Sequence, residues 1–329
     1  MPLINRCGGG GGTPQLCGQV ENFKAGLGNL SAILSWTAPS PDEDNSFVGA
    51  RIVRKIGSAP TGINDGTVVY EGTALTYTDT GLTAGTTYYY RAFAYNAKKK
   101  YQTAYRVASR TAMALNSNFA SNTWELIMEA CYSGSVPDTW VTGDNKTMTI
   151  GGVNYRFDIV GKNHDTYTAG GVAPLTFGMH DCYGTTYQMN SSSKNSTGWD
   201  GSKMRTETLP AILAKMPVNI QNGIRAVNKL TATSGTNETI KTASDKLFTF
   251  SEMEVYGSAT NSFSGEGKQY DYYKAGNSKV KKVGGEASWW WLRSPTDNSA
   301  YHFCTVGSDG SAVNGNASNS GGVCFGFCF

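Results

Sequence analysis

The chain has 329 residues, which at roughly 100–200 residues per domain predicts two domains. Only 16% of it is charged, against about 25% in an average soluble domain; 40 Gly, 18 Tyr and 7 Trp give it the balance of a β-rich, loop-rich extracellular or virion module rather than a helical cytosolic enzyme. Its 28 basic and 25 acidic residues are scattered, and the only basic runs, Lys98–Lys100 and Lys279–Lys282, read as solvated turns, which argues against a nucleic-acid-binding stripe.

Residues 1–17 hold a short apolar start, five glycines and a Thr-Pro step, too little to bury a core. They read either as a bare flexible tail or as an attachment arm that orders against a partner. The start lacks the apolar stretch of a secretory signal, and no segment approaches the roughly 20 apolar residues of a membrane span. The expectation is synthesis in a host bacterial cytoplasm, no membrane insertion, and release with a particle.

Residues 18–112 read as short strands between turn signals. Leu30, Ala32, Leu34 and Trp36 alternate inward, and Pro39–Asp42 turn the chain. Strands follow at Ala50–Lys55, Thr67–Tyr70, Tyr88–Tyr95 and Tyr105–Ala108, with Tyr77 leading into the turn Asp79-Thr80-Gly81. About seven short strands at this spacing predict a β-sandwich. Leu34-Ser35-Trp36-Thr37-Ala38-Pro39 and Leu82 to Ala92 resemble the second strand and the corner segment of fibronectin type III domains. The resemblance implies an all-β immunoglobulin-like sandwich with Trp36 in its core and the Tyr88 hydroxyl bonded back across a corner. It also implies a spacer role.

Residues 113–122 are small and polar and read as a linker. A helix is predicted from Thr123 through Ala130, with Thr123 as cap. Thr147–Ile150 and Tyr155–Val160 flank a Gly151-Gly152 turn as a hairpin, and Leu175–Met179 is a further strand. A polar loop occupies Gln188–Thr197. Leu209, Ile212, Leu213 and Met216 share one helical face, and Gln221–Leu230 reads as partly helical. At the chain end Val323, Phe325, Phe327 and Phe329 alternate with Cys324, Gly326 and Cys328, the period of a core strand. Trp289–Leu292 is too apolar for an exposed loop, so at least two of its tryptophans should be buried, with Arg293 paired to a carboxylate or carbonyls. Trp199 and Arg205 read as structural.

Phe177–Cys182, Tyr187–Asn190, Trp199–Arg205, Trp289–Pro295, Ser308-Asp309-Gly310 and Gly322–Cys328 together resemble a domain family found in phages and prophages. That family looks like a divergent C-type-lectin fold, with the architecture of formylglycine-generating enzymes and of diversity-generating-retroelement variable proteins. The resemblance covers roughly residues 120–329. It implies an α+β lectin-like domain at 123–329, following the sandwich.

Between these motifs, residues 296–321 mix Asn, Ser, Thr, Gly and Asp with Tyr301 and His302, a mixture that gives adaptable hydrogen bonding plus rigid amphipathic rings. The candidate ligand-binding residues are Asp297, Asn298, Ser299, Tyr301, His302, Thr305, Asn314, Asn316, Ser318 and Asn319. The function expected is that of a non-enzymatic, phage tail-associated receptor-binding protein. Its partners would be a bacterial surface protein or glycan, other tail proteins through the N-terminal arm, and two further copies if it forms a trimer. The rivals are a structural tail or capsid decoration protein and a formylglycine-type or thiol-dependent oxidase.

No phosphate loop, His-Glu-x-x-His site or Gly-x-Ser-x-Gly elbow occurs. His180 and Cys182 could meet as a Cys–His pair only with a third orienting group, and residues 180–182 read better as a turn. The seven cysteines, Cys7, Cys17, Cys131, Cys182, Cys304, Cys324 and Cys328, favour free thiols in a reducing cytoplasm. A bridge from Cys304 to Cys324 or Cys328 stays open. Cys324 and Cys328 lack partners at metal-site spacing, so neither a metal nor a cofactor is expected.

Overall fold

The computed structural model describes residues 17–39 and 47–329, so residues 1–16 of the arm assigned to 1–17, and residues 40–42 of the turn at 39–42, lie outside the described residues. Cys17, the last residue assigned to the arm, belongs instead to the sandwich, where it is 1% exposed in the core. The chain divides into two compact units, 1–115 and 116–329.

The first unit is an all-β sandwich, as its strand pattern predicts. Strands β1 (Glu21–Gly28), β2 (Ser31–Thr37), β3 (Phe47–Ile56), β4 (Thr67–Gly72), β5 (Thr76–Asp79), β6 (Thr87–Asn96) and β7 (Arg106–Thr111) form two sheets, ordered β1-β2-β5 and β4-β3-β6-β7. Alternation places Ala32, Leu34 and Trp36 from one sheet against Ala50, Ile52, Tyr88, Tyr90, Ala92 and Ala94 from the other. Leu30 departs from the expected inward series. It sits at φ 46° in the β1–β2 turn and is 36% exposed, because the reversal of the chain breaks the period of two there. The Tyr88 hydroxyl accepts a 3.0 Å hydrogen bond from Thr83 N and so ties the corner as expected. One carboxylate is buried here: Asp79 takes both oxygens to Arg54 at 2.9 Å and accepts from the Tyr90 hydroxyl at 2.8 Å.

The second unit begins earlier than expected. The stretch read as the end of a linker, Asn116–Asn122, folds into it: Phe119 is 2% exposed and packs against Trp124, Trp140 and Phe177. Small polar neighbours hide this, since the amide of Asn122 closes the loop by donating to the carbonyls of Asn116, Asn118 and Phe119. Helix α1 (Trp124–Ser133) follows, with Thr123 Oγ1 accepting from Leu126 N and Gly134 in the left-handed conformation at its end.

Strands β8 (Asn145–Ile150), β9 (Val153–Lys162), β10 (Leu175–Met179) and the short β11 (Tyr187–Gln188) come next. Helices α2 (Leu209–Leu213) and α3 (Val218–Gly223), the hairpin β12 (Val227–Ser234) and β13 (Asn237–Asp245), and β14 (Phe248–Thr249) follow. Then come α4 (Glu252–Tyr256), α5 (Asp271–Lys274), β15 (Lys281–Val283), β16 (Glu286–Ser288), β17 (Trp290–Pro295), β18 (His302–Val306), β19 (Ala312–Asn316), β20 (Ser320–Gly321) and β21 (Phe325–Cys328).

The main sheet runs β14-β21-β10-β9-β8, so the last strand of the chain lies inside it. Both of its faces are buried, as the alternation of Phe with Cys and Gly requires. Phe327 and Phe329 pack against Trp124 and Phe177 on one side. On the other, Gly178 pairs with Gly326, and a Cβ on either would come within 3 Å of the ring of Phe250 or Phe248. Those two glycines let the aromatic layer close on the sheet.

Candidate functional site

A smaller sheet, β17-β18-β19, carries the segment singled out for ligand binding. Its inner edge is fixed first. Trp290 and Trp291 are fully buried, their indole N–H groups donating to Lys279 O at 2.9 Å and Tyr187 O at 2.7 Å. Arg293 is buried with every N–H group used: it forks onto Glu254 at 2.6 and 2.8 Å and donates to the carbonyls of Leu230, Thr249 and Glu266. Glu254 also closes a capping box with Ser251 at the start of α4 and takes Lys229 Nζ at 2.6 Å. Lys229 reaches on to Asp165 and to the Tyr270 hydroxyl. Burial by itself would raise the Glu254 carboxyl, but Arg293 and Lys229 hold it below the usual carboxylate range.

The outer edge is the candidate binding surface. Asp297, Asn298, Tyr301, Asn314 and Asn319 are exposed, with Tyr301 at 44%. Tyr301 O accepts from Ala317 N, which brings the 296–302 loop beside the 316–319 turn. Ser299, His302, Asn316 and Ser318 are half-buried and largely committed to the frame. Ser299 Oγ accepts from the backbone N–H groups of Tyr301 and His302 and lies 2.8 Å from His302 Nδ1. Asn316 Oδ1 accepts from Ser318 N and Oγ, an Asx turn that sets the tip of the hairpin.

Thr305 does not belong to the surface. It is 1% exposed, because it occupies the middle strand and pairs with Trp291 on one side and Val313 on the other. Composition marks the whole segment as polar, but the strand period decides which of its residues faces inward.

A second loop joins the surface. The polar loop at Gln188–Thr197 is not all surface: Asn195 is fully buried and its amide donates to Ser299 O at 2.7 Å and His302 O at 2.8 Å. The neighbouring Lys194 places Nζ 4.3 Å from the centre of the Tyr301 ring and 3.2 Å from its hydroxyl. Lys194 is the site residue that sequence reasoning missed; the run of Asn and Ser around it was the available signal. Beside it lies a hollow of about 310 Å³ walled by Ser191, Ser192, Ser196, Lys203 and Glu207. Behind the surface, the buried Glu252 carboxylate accepts from Thr260 N, Asn261 N and Ser262 N, and Asn261 O in turn accepts from Asp297 N. Each loop of the surface is therefore moored to the interior through at least one hydrogen bond.

The groups considered for chemistry are arranged differently. His180 Nδ1 lies 2.8 Å from Asp158 Oδ2, and its Nε2 contacts Arg156. Residues 180–182 form a bend, as expected. Cys182 is buried and burial pushes its thiol well up; the Cys324 thiol is raised to about 11 by burial, against the pull of Lys281. Both are protonated near neutral pH, when nucleophilic or redox work needs thiolate. Among the described residues no disulfide joins Cys304 to Cys324 or Cys328, and no group of three His, Cys, Asp or Glu side chains could hold a metal ion.

A family model described as "Domain of unknown function (DUF6273)" matches residues 110–328. No curated protein matches the chain. Among solved structures, the chain is similar to the fibronectin type III domain of human fibronectin type III domain containing protein 3. That match is 20% identical, covers 34% of this chain and 100% of the other, and has a TM-score of 0.27. A redesigned β-sandwich protein matches at 23% identity over 30% of this chain and 97% of its own, with a TM-score of 0.24. A β-1,2-glucanase from Parabacteroides distasonis matches at 19% identity over 32% of this chain and 14% of its own, with a TM-score of 0.25.

Proposed function

This chain belongs to the DUF6273 family through its second unit, and from that premise we propose that the unit is a C-type-lectin-like recognition domain of a phage tail-associated receptor-binding protein. The observation that carries the reading is the division of labour in β17–β19. A buried, hydrogen-bonded interior of Trp290, Trp291 and the Arg293–Glu254 pair carries an outer rim of Asp297, Asn298, Tyr301, Asn314 and Asn319, with Lys194 alongside. The rim combines short polar side chains with one ring that has a polar tip, on a base whose hydrogen bonds do not use them. That is what a surface needs if it is to change its ligand without changing its fold. The partner is a protein or glycan of a bacterial surface. The sandwich acts as a spacer and the N-terminal arm as the attachment to other tail proteins, in a trimer that would suit a tail tip. The tail setting rests on the resemblance of the sequence motifs.

The test is adsorption of the purified chain to susceptible cells. Exchanging Asp297, Tyr301, Asn314 and Asn319 together for alanine should abolish it and leave the melting temperature nearly unchanged. Adsorption that survives the exchange would place the binding surface elsewhere. Particles that adsorb normally without this chain would favour a decoration role.

A further inference from the structure

We propose that the second unit carries another binding site, for a small organic carboxylate with an apolar body, in the cleft between residues 167–170 and 224–226. The cleft measures about 480 Å³, within the range of small-ligand pockets. Tyr167, Ala169, Ile224 and Ala226 supply apolar wall, and Arg225 and Lys246 supply its two cations. The cleft shares no residue with the rim at 297–319, so its fate is independent of the proposed function.

Arg225 is the reason for naming a carboxylate. Its side chain is exposed, yet it is not free to wander. The guanidinium carbon sits 3.9 Å from the centre of the Tyr132 ring and 5.2 Å from that of Tyr167. Both rings are themselves anchored, the Tyr132 hydroxyl donating to Gly223 O and the Tyr167 hydroxyl to Phe329 O. The backbone of Arg225 is tied to the last strand, its N–H donating to Cys328 O at 3.0 Å.

What the guanidinium lacks is an acid. Arg205 and Arg293, in the same unit, are each held by an aspartate or a glutamate, whereas among the described residues no ion pair includes Arg225 or Lys246. A planar fork placed over two anchored rings, with no acid paired to it, matches the two oxygens of a carboxylate. The apolar wall sets the rest of the ligand. A hydrated inorganic anion would gain nothing from the apolar lining, while an alkyl or aryl group would cover its accessible part, at Ala169 and Ala226, and leave water behind.

The test titrates the full chain with 3-phenylpropanoate, with its uncharged amide and with inorganic phosphate, following binding by NMR shifts of residues 167–170 and 224–226. The acid should bind about ten-fold or more tighter than the amide, and Arg225→Gln should erase that preference while the melting temperature holds. Ala169→Trp, on the exposed loop, should fill the cleft and weaken the acid by a similar factor with Arg225 intact. Equal binding of acid and amide would overturn the proposal. So would displacement of the acid by an equal concentration of phosphate, unaltered binding in both variants, or the absence of saturable shifts.

Discussion

The two units of this chain are stabilised by opposite strategies. The sandwich closes over alternating apolar side chains, and the one buried carboxylate among its described residues, Asp79, answers one arginine and one tyrosine. The second unit places Arg293, Lys229, Glu254 and Asp165 in its interior and satisfies them against one another and, for Arg293, against main-chain carbonyls. Apolar packing tolerates exchange so long as volume and pattern are kept. A buried ionic network does not, because removing one member leaves its partners charged and dry. The second unit is thereby suited to hold one set of loops in one arrangement.

Substitution at the network should separate the two units most sharply. Glu254→Gln leaves Arg293 and Lys229 without their shared carboxylate, and loss of one partner from such a pair costs about 3–5 kcal/mol. Calorimetry should show one transition moving far down while the transition of the sandwich stays in place. Transitions that move together would mean that the units do not melt independently.

The pH response should divide them next. Burial pushes the Glu266 carboxyl from 4.5 up to about 6. Between those values the folded state keeps a proton that the unfolded chain has released, so stability falls as pH rises through that window, by roughly 2 kcal/mol in all. Glu266→Gln should flatten the decline and raise the second transition at pH 7. Asp165 and Glu254 act in the opposite sense: their lowered carboxyls stabilise the fold above the ordinary carboxylate range, and this is lost as pH falls below it.

A smaller effect belongs to the sandwich. Tyr88→Phe removes the hydroxyl that accepts from Thr83 N and should cost about 1 kcal/mol, read as a shift of the first transition alone. The smallest effect on stability belongs to the rim. Tyr301→Ala and Asn319→Ala should each stay within about 0.5 kcal/mol, because neither side chain supports the frame. A larger loss would show that the rim is structural.

Much of this was legible in the chain. The Thr123 cap, the Gly151-Gly152 turn, the buried tryptophans and the need of Arg293 for a carboxylate all follow from local chemistry or from periodicity. The capping box of Ser251 and Glu254 was readable from its spacing but was overlooked. Phe119 and Thr305 lie in polar stretches, where composition points outward but one apolar ring and the strand period turn them inward.

By itself, the sequence determined the elements: seven strands for a sandwich, a capped helix, and a last strand apolar enough to be buried. It also determined that the stretch from 296 to 321 would be polar. Only the tertiary structure decided which carboxylate Arg293 takes, since Glu254 and Lys229 lie 39 and 64 positions away and no local pattern links them. Only it could bring Lys194 to Tyr301, or set Arg225 over two tyrosine rings without an acid. Periodicity and capping act over a few residues, which a sequence displays in order. Charge pairing and ring stacking act through space, and the folded chain chooses the neighbours.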